Sequence, residues 1–320
     1  MQRRRIGTTD IEVTPVAMGC WPISGMTSLD VNDDDSLATL NEAVDAGINF
    51  FDTAFCYGAS GESERLIAKA LRHRRDEIVI ASKGGIHWHN GRQAFDASPA
   101  ALRRECEESL RRLKTDHVYL LYLHAPDPET PVETSAETLQ KLFDEGKTRS
   151  IGASNLDVEQ LNRFQSVARL DAVQPFYNML QREIEADLIP WSVEHDVSVI
   201  VYWPLLKGLL AGKLPRDHVF DDRDGRKKYP MFQGEEWEKN QDFLDELRPI
   251  ASDSGITLSQ LAVRWTIDQT GVTAALCGAK RPRQIRETAA SIDVSLTDEQ
   301  RTRIQAAIDR RGVPASKPPV

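Results

Sequence analysis

Cysteine is scarce in this chain, and the four present are not paired by spacing. Cys20, Cys56, Cys106 and Cys277 lie far apart with no CxxC step, so neither a zinc site nor a disulfide framework is suggested. Long apolar runs are missing too. Nothing approaches the ~18 consecutive apolar residues of a membrane helix, and the basic start Met1-Gln-Arg-Arg-Arg5 is not followed by the apolar stretch of a signal peptide. The expectation is a cytoplasmic protein. Positive charge is in deficit: a formal net charge of −9 and a pI near 5.4 exclude the basic field that general nucleic-acid or anionic-membrane binding needs. A local basic pocket for one phosphorylated ligand stays open. No low-complexity linker divides the chain, which reads as one domain over residues 1–320.

What is present is alternation. Residues 3–18 carry Ile6, Ile11, Val13 and Val16 around Gly7-Thr-Thr-Asp10, the pattern of a small N-terminal β-hairpin. Eight apolar runs follow: Val16–Cys20, Ile48–Thr53, Ile78–Ser82, Val118–His124, Ser150–Ser154, Ala172–Gln174, Ser198–Tyr202 and Thr273–Cys277. None alternates apolar with polar, as expected of strands covered on both faces. Helical signals lie between them. Ser98-Pro99 is an N-cap followed by proline at the first helical position, ahead of a stripe of Leu102, Cys106, Leu110 and Leu113. Capping boxes open at Thr257-x-x-Gln260 and Thr297-x-x-Gln300, and Asp157-x-x-Gln160 is a related start before Leu161, Phe164 and Val167. Eight βα steps of about forty residues account for the 320-residue chain. The expected architecture is α/β, a closed (β/α)8 barrel with an N-terminal hairpin and an extra C-terminal helix. Two stretches break the rhythm: residues 207–234, a long loop of the kind that is usually functional or disordered, and the proline-rich tail 312–320, expected to be loosely held.

In such a barrel the working face is the carboxyl end of the strands. Asp52 and Tyr57 follow the second strand in Asn49-Phe-Phe-Asp-Thr-Ala-Phe-Cys-Tyr-Gly58. Lys83 follows the third, and His124 closes the fourth. Together they suit proton transfer. A tyrosine of pKa ~10 is a poor acid near neutrality, and lowering it by about three units takes about 4 kcal/mol. One ammonium at ~4 Å and an effective dielectric of ~20 supplies about that much. Lys83 is therefore expected to tune Tyr57, with Asp52 keeping the lysine charged and a neutral His124 orienting a carbonyl. Singly, each residue has an ordinary alternative: a capping acid, a surface lysine, a turn histidine, a pocket-wall tyrosine. Their fall at consecutive strand ends carries the case.

These residues resemble the aldo-keto reductase family. Phe51-Asp-Thr-Ala54 with Tyr57-Gly58, Ser82-Lys-Gly84 and Leu123-His124 match its Asp, Tyr, Lys, His tetrad in order and context. The resemblance runs from the N-terminal hairpin to Thr288. It implies Tyr57 as general acid, Lys83 and Asp52 lowering its pKa, His124 positioning the carbonyl, and NADPH as hydride donor, with NADH less favoured. It also implies a cofactor set. Ser154 and Asn155 of Gly152-Ala-Ser-Asn155, with Gln174, would hold the nicotinamide carboxamide, and Tyr202 would stack on the ring. Trp203, Pro204, Leu205, Gly208 and Leu210 would form the pyrophosphate loop, so that 207–234 lies over the cofactor. Gly278, Lys280, Gln284 and Thr288 would meet the adenosine phosphate, Lys280-Arg281 favouring the 2′-phosphate. Trp21 counts both with this set and with Phe55 and Trp88 as substrate wall. Three departures are notable: Trp203 where a small serine is common, Cys277 in place of proline, which would leave a thiol near the cofactor, and Thr288 where asparagine is usual. No GxGxxG turn is present and none is expected, nor is a metal. The implied activity is reduction of small aldehydes or ketones. The alternatives are a nucleotide-binding redox sensor with little turnover and a Schiff-base lyase using Lys83 as nucleophile.

Overall fold

The structure, a computed structural model, describes residues 2–26 and 29–315. Eight parallel strands close into a barrel: β1 (Val16–Gly19), β2 (Phe50–Asp52), β3 (Val79–Gly84), β4 (Leu120–Leu123), β5 (Ile151–Ser154), β6 (Ala172–Gln174), β7 (Ser198–Val201) and β8 (Val272–Gly278), with β8 pairing β1 to complete the ring. All eight apolar runs are strands. The surrounding helices are α1 (Asp33–Asp45), α2 (Glu62–Leu71), α3 (Pro99–Leu113), α4 (Val132–Asp144), α5 (Val158–Gln165), α6 (Leu188–Glu194), α7 (Gly234–Asp253), α8 (Leu258–Asp268), α9 (Pro282–Ala289) and α10 (Asp298–Arg311). This is a (β/α)8 barrel.

Ser98 caps α3 through Ala101 N, and Asp157, Thr257 and Thr297 form reciprocal capping boxes with Gln160, Gln260 and Gln300. Val167 falls beyond α5 and is exposed. The helix-facing strand residues Val16, Met18, Phe51, Ile80, Leu121 and Ile151 join the large outer core. Their neighbours Ala17, Phe50, Val79, Ala81, Leu120, Tyr122, Ala172, Ile200, Ala274 and Leu276 fill the barrel interior with Ile6, Ile11 and Val13. Those last three come from the N-terminal hairpin, Arg4–Arg5 against Glu12–Val13. The hairpin is fastened under the strand starts: Arg4 donates to Val272 O at 2.8 Å, Gly7 N to Ser198 Oγ at 2.8 Å, and Asn49 joins Thr14 N and Glu12 O at 2.8 Å each. The amino-terminal end of the barrel is thereby plugged, leaving the carboxyl end for a site.

Two features differ from the sequence reading. A second hairpin, Ile86–His89 against Arg92–Phe95, follows β3. Its turn is Asn90-Gly91, with φ of +49° and +75°, the Asn-Gly signature of a two-residue turn. Residues 207–234 are not a structureless loop: they contain short 3₁₀ turns and run into α7. Phe220 meets Phe232 and Trp237 edge-on, Trp237 Nε1 donates to Arg216 O at 2.8 Å, and Arg216 pairs with Glu238, Asp242 and Asp245. Of the tail, residues 316–320 lie outside the described residues, while Ala315 N donates to Glu236 at 3.1 Å.

Candidate active site

Side chains along a strand alternate between faces, so the interior phase can be followed to the rim. Phe50 leads to Asp52, Val79 and Ala81 to Lys83, Leu120 and Tyr122 to His124, Ala172 to Gln174, and Ile200 to Tyr202. Each of these five strands delivers a polar residue one step above the apolar filling. Lys83 belongs to β3 itself, which extends to Gly84. Tyr57 arrives from the loop after β2, half-buried, with its N bonded to Ala54 O at 3.0 Å.

At the centre, Lys83 Nζ donates to Asp52 Oδ1 at 2.5 Å, to Thr53 O at 2.8 Å and to the Tyr57 hydroxyl at 3.1 Å. Gln174 Nε2 donates to the other Asp52 oxygen at 2.8 Å. Asp52 and Lys83 are each 1 % exposed, and removing either would leave a buried charge unpaired. The Tyr57 ring meets Trp21 edge-on at 5.0 Å and His124 at 6.0 Å. His124 is buried; its Nδ1 lies 3.6 Å from Cys56 Sγ and its carbonyl accepts from Asn155 Nδ2 at 2.9 Å. Burial, and then the Lys83 charge, hold the imidazole well below its usual range, so it is neutral as expected.

The phenol behaves differently from the sequence-based arithmetic. Burial, and then the Asp52 charge, push Tyr57 well above its usual pKa. The ammonium expected to lower it is matched by a carboxylate 2.5 Å away, so the pair presents little net charge to the phenol. In this state Tyr57 is a firmly protonated donor.

Beside this centre, Ser154 Oγ donates to Gln174 O at 2.7 Å, Asn155 Nδ2 reaches Ser154 Oγ at 3.1 Å, and the Tyr202 hydroxyl donates to Asn155 Oδ1 at 2.7 Å. These side chains form one connected group, with Asn155 at φ +60°. The chain after Tyr202 is strained: Trp203, Leu206 and Lys207 have φ of +60°, +44° and +54°, and Gly208 +91°. Lys207 was not foreseen as a site residue. Its amine sits 4.1 Å from the Trp203 ring centre and 4.4 Å from that of Tyr229, with no carboxylate in ion-pair reach among the described residues. A single lysine inside the apolar run Leu205-Leu-Lys-Gly-Leu-Leu210 was the available signal. Such a counterion-free cation in an aromatic wall fits a phosphate-bearing ligand.

Other expected residues are placed elsewhere. Leu210 is buried in the outer core. Phe55, in the turn after β2, lies under the Arg112 guanidinium, which sits 4.4 Å from the Phe55 ring centre. Thr288 Oγ1 is taken up by the carbonyls of Gln284 and Ile285 at 3.2 Å each. Cys277 faces outward into the core under α9, and burial pushes its thiol up to about 12. Gln284 Oε1 accepts from Lys280 N at 2.9 Å; Lys280 Nζ donates to Leu29 O and Arg281 to Asp30 O, each at 2.7 Å. Trp88, carried by the second hairpin, packs against the cluster of Ala54, Cys56, Ile86 and Ala125 that Tyr57 also covers, and donates from Nε1 to Cys56 O at 2.8 Å.

The model of the Aldo/keto reductase family matches residues 15–309. The chain belongs to the aldo/keto reductase family. Among relatives, it is 34% identical to the Aldo-keto reductase YhdN of Bacillus subtilis over 97% of this chain and 94% of that one. It is 32% identical to a protein of Escherichia coli named NADH-specific methylglyoxal reductase, over 94% of this chain and 97% of that one. Among solved structures, the glycerol dehydrogenase AKR11B4 from Gluconobacter oxydans superposes with a TM-score of 0.91 at 37% identity, covering 99% of this chain and 98% of that chain. The family's chemistry is nicotinamide-dependent oxidoreduction of carbonyl compounds, and no helix among the described residues is long and apolar enough to cross a membrane.

Proposed function

We propose that this chain reduces aldehyde or ketone carbonyls to alcohols with NADPH, Tyr57 serving as the general acid. The observation that carries the reading is the run of contacts from Gln174 through Asp52 and Lys83 to the Tyr57 hydroxyl, beside a neutral His124. The bound dinucleotide would supply the hydride. Ser154, Asn155 and Gln174 would hold its carboxamide, Tyr202 the nicotinamide face, Lys207 and the strained turn before Gly208 its diphosphate, and Lys280 with Arg281 a 2′-phosphate. His124 would hold the carbonyl oxygen by a hydrogen bond, and Tyr57 would give that oxygen its proton. Lys83 then faces the phenolate as a cation, a stabilisation that exists only once the proton has left.

The Lys83 amine is buried and taken up by Asp52, Thr53 O and the Tyr57 hydroxyl, so it is not a free nucleophile, which weighs against the Schiff-base alternative. Trp21 meets the Tyr57 ring edge-on, and Trp88 covers the same small cluster as Tyr57; both suit a substrate with an apolar face. The four cysteines are free and buried, consistent with a reducing compartment such as the cytoplasm.

The test is to follow nicotinamide absorbance against a panel of aldehydes, ketones and aldoses with NADPH and NADH in parallel. Carbonyl-dependent oxidation, faster with NADPH, is expected. Tight nucleotide binding without turnover on any compound would favour the redox-sensor alternative, and faster turnover with NADH would reverse the cofactor assignment.

A further inference from the structure

The sequence between Asp52 and Tyr57 contributes a third group to the site that neither the tetrad nor the comparisons assign. Cys56 is 1 % exposed, and its sulfur lies 3.6 Å from His124 Nδ1, within reach of a sulfur hydrogen bond. Both partners are held from behind. The Cys56 carbonyl accepts from Trp88 Nε1 at 2.8 Å, and Phe55 N and Tyr57 N on either side donate to Lys83 O and Ala54 O at 3.0 Å. His124 N donates to Gly84 O at 2.9 Å, and its carbonyl accepts from Asn155. The imidazole backbone is thus fixed, leaving ring orientation and tautomer to be set by the side chain against Nδ1.

We propose that Cys56 is a positioning residue for His124: its thiol donates a hydrogen bond to Nδ1, which leaves the ring proton on Nε2 and makes Nε2–H the donor offered to the substrate oxygen. A neutral imidazole has one N–H, and its location follows the bond that the other nitrogen makes. Burial pushes the Cys56 thiol up to about 12, so it keeps the proton it would donate. In the reverse arrangement Nδ1–H would point at sulfur, a weak acceptor, and a bare Nε2 would face the lone pairs of a carbonyl oxygen. That pairing disfavours binding where the proposed one favours it. The inference rests on the role of His124 given above, and the experiment separates the two.

The protein is prepared with 15N in its imidazole rings, and two-bond 1H–15N correlation spectra are recorded for the wild type, Cys56→Ser and Cys56→Ala, with His124→Asn to assign the ring. The expected wild-type pattern is that of the Nε2–H tautomer. Cys56→Ser should keep it, whereas Cys56→Ala should give a roughly even mixture, with kcat reduced about twofold and KM changed less, because one ordinary hydrogen bond sustains a ratio of about 5:1 and its loss lowers the competent tautomer to about half. An Nδ1–H pattern in the wild type overturns the proposal on its own, whether or not a variant folds. So does an unchanged tautomer in Cys56→Ala. A shifted tautomer with unchanged kcat upholds the placement of Cys56 and overturns the role of His124.

Discussion

Asp52 makes opposite demands on its neighbours. It accepts from Lys83 Nζ and holds the lysine in place, and its negative charge, added to burial, holds the Tyr57 proton in place. A single strong cation beside the phenol would have made a phenolate at rest, which is a base and not an acid. The buried pair instead gives a protonated donor whose conjugate base meets an ammonium at 3.1 Å. Lys207 answers to a different balance. Burial, then the charges of Lys228 and Arg226, push its amine down to about 8. Because an anion binds the charged form, nucleotide affinity should be full below that value and fall as pH rises through it. Fluorescence titrations between about pH 7 and pH 9.5 should show wild-type affinity weakening about tenfold, the value of one such charge. Lys207→Met should bind more weakly throughout and respond little to pH.

Among the elements, the strands and caps were legible because each carries its own local signal: a short apolar run bounded by turns, or a serine, threonine or aspartate three residues ahead of its partner. The tetrad was legible for the same reason, since strand ends can be read without knowing how the strands pair. What the linear pattern hides is orientation, including phase along a strand. Phe55, in the turn after β2, lies under Arg112, and Leu210, in a 3₁₀ turn, packs in the outer core. The second hairpin was missed although Asn90-Gly91 announces it, and with it the anchoring of Trp88. Lys207 could not be separated from its apolar run until Trp203 and Tyr229 were seen around it. Phase also explains Gly152, an interior position of β5. A Cβ there would come within 2.4 Å of two Tyr122 ring carbons. Gly152→Ala should therefore destabilise the barrel by ~1–3 kcal/mol, read as a lower denaturant midpoint with an unchanged slope.

Over the whole molecule, the N-terminal hairpin seals one end of the barrel while the second hairpin and the 207–234 stretch border the other. A buried carboxyl links that second hairpin to the helical ring. Glu105 of α3 accepts from Gly85 N at 2.7 Å, His87 Nδ1 lies 3.2 Å from its other oxygen, and burial pushes it up to about 7. A carboxyl raised in the folded state binds its proton more tightly there than when unfolded. Its contribution is therefore complete below the ordinary glutamate value and is lost as pH rises from there to about 7. Glu105→Gln, which keeps the acceptor for Gly85, should flatten that decline by up to ~3 kcal/mol in denaturant melts compared across pH. The central claim, that the barrel mouth is a proton-delivering carbonyl site, is tested most directly by Tyr57→Phe. Turnover should fall by about 10²–10⁴-fold while nucleotide affinity stays nearly unchanged; wild-type turnover in that variant would contradict it.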